Sequence, residues 1–134
     1  TVPRHHIAVF PCKEQLVADL TGRVSGDETV QVMDFASGNI HALYTLRYKQ
    51  PTRFLYDLHF FHDIDAPYIQ KLREEFLQDL KNLTPMYFVL SCVSWPISGY
   101  ERLDVFPELA DWLSEYYVLE SENSCYRLYR YRKP

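Results

Sequence analysis

The chain has 134 residues, of which 47% are apolar and 24% charged, and a net charge of −4. That length makes one ordinary domain, able to fold without metal or disulfide staples. The composition excludes disorder for the bulk of the chain, the charge offers no general attraction for nucleic acid, and no run of about 18 apolar residues is present to span a membrane. The unusual figure is the aromatic content of 16%, with 11 Tyr and 8 Phe. The opening Thr1-Val2-Pro3 has no initiator Met or signal peptide and reads as the start of a piece cut from a longer protein. Cys12, Cys92 and Cys125 are odd in number and match no zinc or redox spacing.

In chain order, the apolar run Ile7-Ala8-Val9-Phe10 predicts a short buried strand. Leu16, Val17, Leu20 and Val24 then recur at near-helical spacing, with Gly22 and Gly26 as stops. Val30-Gln31-Val32-Met33-Asp34-Phe35 predicts a second strand. Ser37 is placed to cap the next helix, whose face is Ile40, Leu43, Tyr44 and Arg47 and whose end is Gln50-Pro51. Phe54-Leu55-Tyr56 predicts a third strand. Tyr68, Leu72, Phe76, Leu80 and Leu83 mark the clearest amphipathic helix. The apolar run over 86–93 predicts a central strand buried on both faces. Pro107 starts a helix carrying Leu109, Trp112, Leu113 and Tyr116. Tyr117-Val118-Leu119 and Tyr126-Arg127-Leu128-Tyr129 flank a polar turn and read as a hairpin. The alternation predicts a single α/β domain over 1–134. It would be a three-layer, mostly parallel, doubly wound (Rossmann-like) sheet with a C-terminal antiparallel hairpin.

Chemistry is sparse along the chain. The turn after the first run, Pro11-Cys12-Lys13-Glu14, lacks the glycines of a dinucleotide site, and there is no P-loop or G-x-S-x-G elbow. Cys12 near a helix start has the setting of an activated thiol, with a small turn residue as the plainer reading. Asp57, His59, His62, Asp63 and Asp65 are ligand types, but their loop spacing fits a solvated segment better than a metal site. No cofactor is expected. Two basic groups stand among aromatics: Arg47, Lys49 and Arg53 around Pro51, and Arg127, Arg130, Arg132 and Lys133 at the C-terminus. Guanidinium groups grip phosphates and carboxylates in two-pronged fashion. For the C-terminal group a solvated charged edge strand is the better reading. Arg53, Arg47 and Tyr44 are the candidate ligand contacts, with Asp34 added because it ends the second strand, near the point where open α/β sheets bind ligands.

The run Leu43-Tyr44…Arg47…Pro51-Thr52-Arg53-Phe54…Tyr56 resembles the C-terminal soluble domain of multi-spanning GT-C glycosyltransferases, the class of the dolichyl-phosphate-mannose and aminoarabinose transferases. The similarity continues through Tyr68, Leu72, Arg73, Glu75-Phe76-Leu77, Asp79-Leu80 and Pro85. It ends with Phe106-Pro107-Glu108-Leu109, Trp112-Leu113, Tyr116-Tyr117 and Tyr126…Leu128-Tyr129. Each motif is short; their order carries the resemblance. It implies a parent membrane enzyme that moves sugar from a polyprenyl-phosphate donor to a protein, lipid or glycan acceptor. This domain would stand on the extracytoplasmic face, partnered by the transmembrane part of the same chain and by the lipid-linked sugar or acceptor. The family's catalytic acids belong to the membrane part, so no catalytic residue is expected here. Two rival readings are a ligand-free interaction module that docks through exposed aromatics and a free-standing enzyme using Cys12.

Overall fold

The structure is a computed structural model and describes residues 9–34, 37–93, 97 and 99–134. Its first element is helix α1, Val9–Leu20. Of the predicted first strand, Ile7 and Ala8 lie outside the described residues, while Val9 and Phe10 open this helix instead. Pro11 permits that, because a proline in the first turn removes an N–H that has no helical partner. Leu16 and Leu20, one turn apart, are fully buried.

Strand β1, Val30–Met33, leads to helix α2, Asn39–Leu46. Ser37 is not the cap of α2. Gly38 holds that position at φ 84°, a conformation glycine enters without steric cost. Arg47, at φ 60°, ends the helix with its N–H on the carbonyls of Leu43 and Tyr44. A short helix α3, Leu58–Phe61, precedes helix α4, Pro67–Asn82. On α4 the buried stripe runs through Ile69, Leu72, Phe76 and Leu80, while Tyr68 (69% exposed) and Leu83 (59%) at the ends face solvent. Strand β2, Tyr87–Ser91, is buried throughout. A 3₁₀ helix, Tyr100–Val105, leads into helix α5, Pro107–Tyr116, and then into strands β3, Tyr117–Glu122, and β4, Tyr126–Tyr131.

Among the described residues the sheet has four strands, in the order β1-β2-β4-β3. Only β1 and β2 run parallel, with Val30 opposite Tyr87; β2–β4 and β3–β4 are antiparallel. The mostly parallel, doubly wound Rossmann-like sheet expected from the alternation is therefore corrected to a mixed sheet. The described residues of two predicted strands are not in it. The first is helical where it is described. The third, Phe54-Leu55-Tyr56, is irregular chain alongside the outer edge of β1. Pro51 has no N–H to give a ladder, and the edge of β1 is met by other means. Val30 N–H donates to Lys49 O (2.9 Å), Val32 N–H to the Gln50 side-chain oxygen (3.0 Å), and Asp57 N–H to Asp34 O (2.8 Å). Phe54 O accepts from the side-chain amides of Gln50 (3.2 Å) and Gln31 (3.4 Å), so it is engaged outside any strand pairing. This segment covers an edge that would otherwise invite pairing with another chain.

Helices cover both faces of the sheet. Leu16, Leu20, Ile40 and Leu43 pack on Val30, Val32, Val89 and Leu128 from one side. On the other, Phe54, Phe60, Phe76, Phe106 and Trp112 pack on Met33, Phe88, Leu90 and Tyr129. Phe60 lies 4.6 Å from Phe76 and 5.0 Å from Phe54 between ring centroids, within the range where aromatic pairs add to burial. Most of the high aromatic content is thus core.

Burial pushes the Tyr100, Tyr117 and Tyr126 phenols well above their ordinary range, helped at Tyr126 by its bond to Asp19. The folded state therefore favours the neutral phenols. Their contribution is complete below pH about 10 and is lost as pH climbs above it. In a 295 nm absorbance titration, these three of the 11 tyrosines should ionise only together with loss of the near-ultraviolet circular dichroism. Ionisation of all of them near pH 10 with the fold intact would contradict this burial.

Candidate functional site

The segment that covers β1 also forms one wall of a groove of about 410 Å³, within the range of small-ligand sites. Tyr44 from α2, Tyr48 and Lys49 after it, and Thr52, Arg53 and Leu55 from the covering segment line it. Tyr44 is 66% exposed and presents its ring to solvent. Tyr48 is fixed, its hydroxyl donating to Leu20 O at 2.8 Å. Thr52 is anchored on the buried Gln31 side chain at 2.8 Å. The floor is apolar, from Ile40 and Leu43.

Arg53 is exposed and already partnered. Its guanidinium meets the Glu75 carboxylate with two bonds of 2.6 and 3.1 Å, and lies 4.6 Å over the Phe54 ring. The carboxylate raises the Arg53 pKa, and the guanidinium holds Glu75 below the usual carboxylate range. Both groups face water, so this pair contributes little to stability. It instead fixes where the guanidinium stands. Arg47 lies outside this groove and lines an adjoining hollow of about 250 Å³ that shares Tyr48 and Lys49 with it. Neither Arg47 nor Lys49 makes an ion pair among the described residues.

Of the four residues singled out by sequence, Tyr44 and Arg53 share one groove, Arg47 is next to it, and Asp34 is elsewhere. Asp34 is 1% exposed. Its carboxylate accepts from the backbone N–H groups of Ser37 (3.2 Å) and Asn39 (3.1 Å), and from the Ser37 hydroxyl. That is the work of capping α2, whose first-turn N–H groups lack partners otherwise. Asn39 in turn donates to the Ser91 hydroxyl at 2.7 Å, linking the start of α2 to the end of β2.

The other sequence candidates separate in the same way. Asp57, grouped above with His59, His62, Asp63 and Asp65, is buried against Arg102. Among the described residues no three His, Cys, Asp or Glu side chains converge as a metal ion would need. The C-terminal arginines pair within and beside the hairpin: Arg127 with Glu122, and Arg130 with Glu120, which also holds Arg23 at 3.2 Å. They lie on β4, an inner strand, and the edge is β3. Cys12 is joined to Cys125 in a disulfide with Cα atoms 5.5 Å apart. The reading of Cys12 as a nucleophile is corrected accordingly, since the thiolate it requires is absent.

Sequence reasoning missed three features: the disulfide, the Arg102–Asp57 pair and the part played by Glu75. The last had a faint signal, since Glu75 lies on the polar face of the strongly amphipathic α4. The others join residues 113 and 45 positions apart, with no spacing rule to link them. No helix among the described residues is long and apolar enough to cross a membrane. No known protein family, characterised protein or solved structure matches the chain. The groove brings two cations, hydroxyls and aromatic rings to one surface, groups suited to holding a phosphate or a sugar.

Proposed function

We propose that this is a non-catalytic accessory domain of a membrane glycosyltransferase that uses a polyprenyl-phosphate sugar, standing on the extracytoplasmic side and contacting the donor or acceptor through the Arg53 groove. The observation that carries this is the groove itself. An arginine held by one carboxylate, an adjacent unpaired lysine and an exposed tyrosine offer charge to a phosphate and a flat face to a sugar. The Cys12–Cys125 disulfide supports the location, because such bonds persist in oxidising compartments. The order of motifs supplies the parent class.

The test is sugar transfer by the full-length enzyme at equal protein level. Arg53→Ala should lower transfer about tenfold or more, the loss of one charged hydrogen-bonded contact. Glu75→Gln separates contact from scaffolding. It removes the charge of the pair but keeps Arg53 and one side-chain oxygen to accept from it, so it should leave transfer near the parental level or raise it. Unchanged transfer in Arg53→Ala, or an equal loss in Glu75→Gln, would overturn the contact role. A second reading, a docking module, is favoured by Tyr56 (45% exposed) and Tyr68 (69%), which line a hollow next to the groove. In that case Tyr68→Ser weakens association with the membrane part, whereas Arg53→Ala does not.

A further inference from the structure

The Arg53 groove does not end at Lys49. Lys49 and Gln50 also line a second hollow of about 360 Å³, with Pro51, Leu83 and Thr84. Thr84 in turn lines a third, of about 430 Å³, with Lys81, Trp112, Tyr116 and Tyr131. The three hollows therefore share lining residues in succession. They follow one another from Tyr44 past the start of β1 to the ends of α4, α5 and β4. We propose that they act as one trough that binds an extended anionic glycan, with the Lys81–Trp112 end as a sugar subsite in addition to the Arg53 groove.

The far end has the parts a pyranose needs. Tyr116 and Tyr131, beside the buried Trp112, bring aromatic surface for the C–H face of a ring, and Thr84 and Lys81 bring a hydroxyl and an ammonium for its oxygens. These walls are held before any ligand arrives. Trp112 meets Tyr117 in a tilted contact at 4.8 Å and Tyr117 meets Tyr131 likewise at 5.6 Å between centroids, and the Tyr117 hydroxyl is anchored on Pro85 O. Arg132 N–H donates to Tyr116 O (2.8 Å) and Tyr131 N–H to Met86 O (2.9 Å), tying the strand end to both neighbours. Binding then requires little ordering of side chains.

Charge selects the class of glycan. Lys49, Lys81 and the Glu75-paired Arg53 are spaced along the trough, whose one acidic lining residue is Asp27 in the middle hollow. Lys49 and Lys81 make no ion pair among the described residues. A chain of linked sugars carrying carboxylates at intervals meets these cations in turn. A single sugar meets only one of them, and a neutral chain none.

This inference rests on the Arg53 groove being a binding site, and the test keeps the two apart. Trigalacturonate, maltotriose and monomeric galacturonate are titrated into the domain, with amide shifts followed by NMR. Trigalacturonate should give saturable shifts at both ends, at Tyr44 and Arg53 and at Thr84, Trp112 and Tyr131. Maltotriose and the monomer should bind at least about tenfold more weakly. Lys81→Glu and Tyr116→Ala, both at exposed positions, should each weaken trigalacturonate about tenfold with the remaining spectrum unchanged. Shifts confined to the Arg53 end, or equal binding of maltotriose, would overturn the extended anionic site while leaving the groove. No saturable shift at either end, or undiminished binding in both variants, would overturn it outright. Sugar transfer by the Arg53→Ala enzyme reports on the groove separately.

Discussion

Replacing Asp57 by alanine should lower the unfolding free energy by about 3–5 kcal/mol. The Asp57 carboxylate and the Arg102 guanidinium are both fully shielded from solvent and meet at 2.8 Å. Arg102 also donates to Ser91 O at 2.5 Å, Gly99 O at 2.9 Å and Met33 O at 3.4 Å. One guanidinium thus joins the ends of both parallel strands to the loop before α3 and to the start of the 3₁₀ helix. Such a pair adds little over a well-packed apolar substitute, because both charges lose their hydration. Breaking it is another matter, since Arg102 keeps its charge with no counter-charge beside it. The cost therefore measures an abandoned charge rather than the strength of the pair. Urea unfolding followed by circular dichroism checks it, with an unchanged denaturant slope if the native state stays compact. The double variant Asp57→Leu with Arg102→Met should recover much of the loss. A single-variant cost below about 1 kcal/mol would mean that water reaches the guanidinium.

What could be read from the sequence divides along a physical line. Elements that bury a face by local pattern were legible: β2 as an apolar run, α4 as a helical stripe, α5 from Pro107 onward, and the β3–β4 hairpin from two β-rich runs around a polar turn. Elements whose state depends on a distant partner were not. Phe54-Leu55-Tyr56 has strand composition, yet whether it pairs is settled by Gln50 and Lys49, which reach the edge of β1 first. Val9 and Phe10 are β-prone residues drawn into α1, where Leu16 and Leu20 anchor the helix on the sheet. Strand direction followed from those two errors, because two fewer strands leave one parallel pair. The site was half legible. Tyr44 and Arg53 are nine positions apart with a proline between them, and a helix end followed by a turn brings them to one groove. Asp34 is a strand-end acid whose local use, capping the next helix, is commoner than ligand binding and satisfied its carboxylate first.

Reduction of the Cys12–Cys125 disulfide should cost about 4–5 kcal/mol if it acts by loop-closure entropy, since the bond spans 113 residues. That places the loss mainly in the unfolded chain, where nearly the whole sequence is freed at once. The native state has other means of holding α1. Leu16 and Leu20 are fully buried, Tyr48 donates to Leu20 O at 2.8 Å, and the Tyr126 hydroxyl is bonded to Asp19. The folded structure should therefore survive reduction, with α1 docked but the melting temperature lowered by roughly 15 °C. Melting curves with and without dithiothreitol check this, and Cys12→Ser should reproduce the reduced value without reductant. Cys92→Ser should leave the dithiothreitol effect intact, because Cys92 is not in the bond. Faster amide exchange confined to α1, without a drop in melting temperature, would show that the bond fastens one helix rather than restricting the unfolded chain. A large global effect would make this domain markedly less stable under reducing conditions than under oxidising ones.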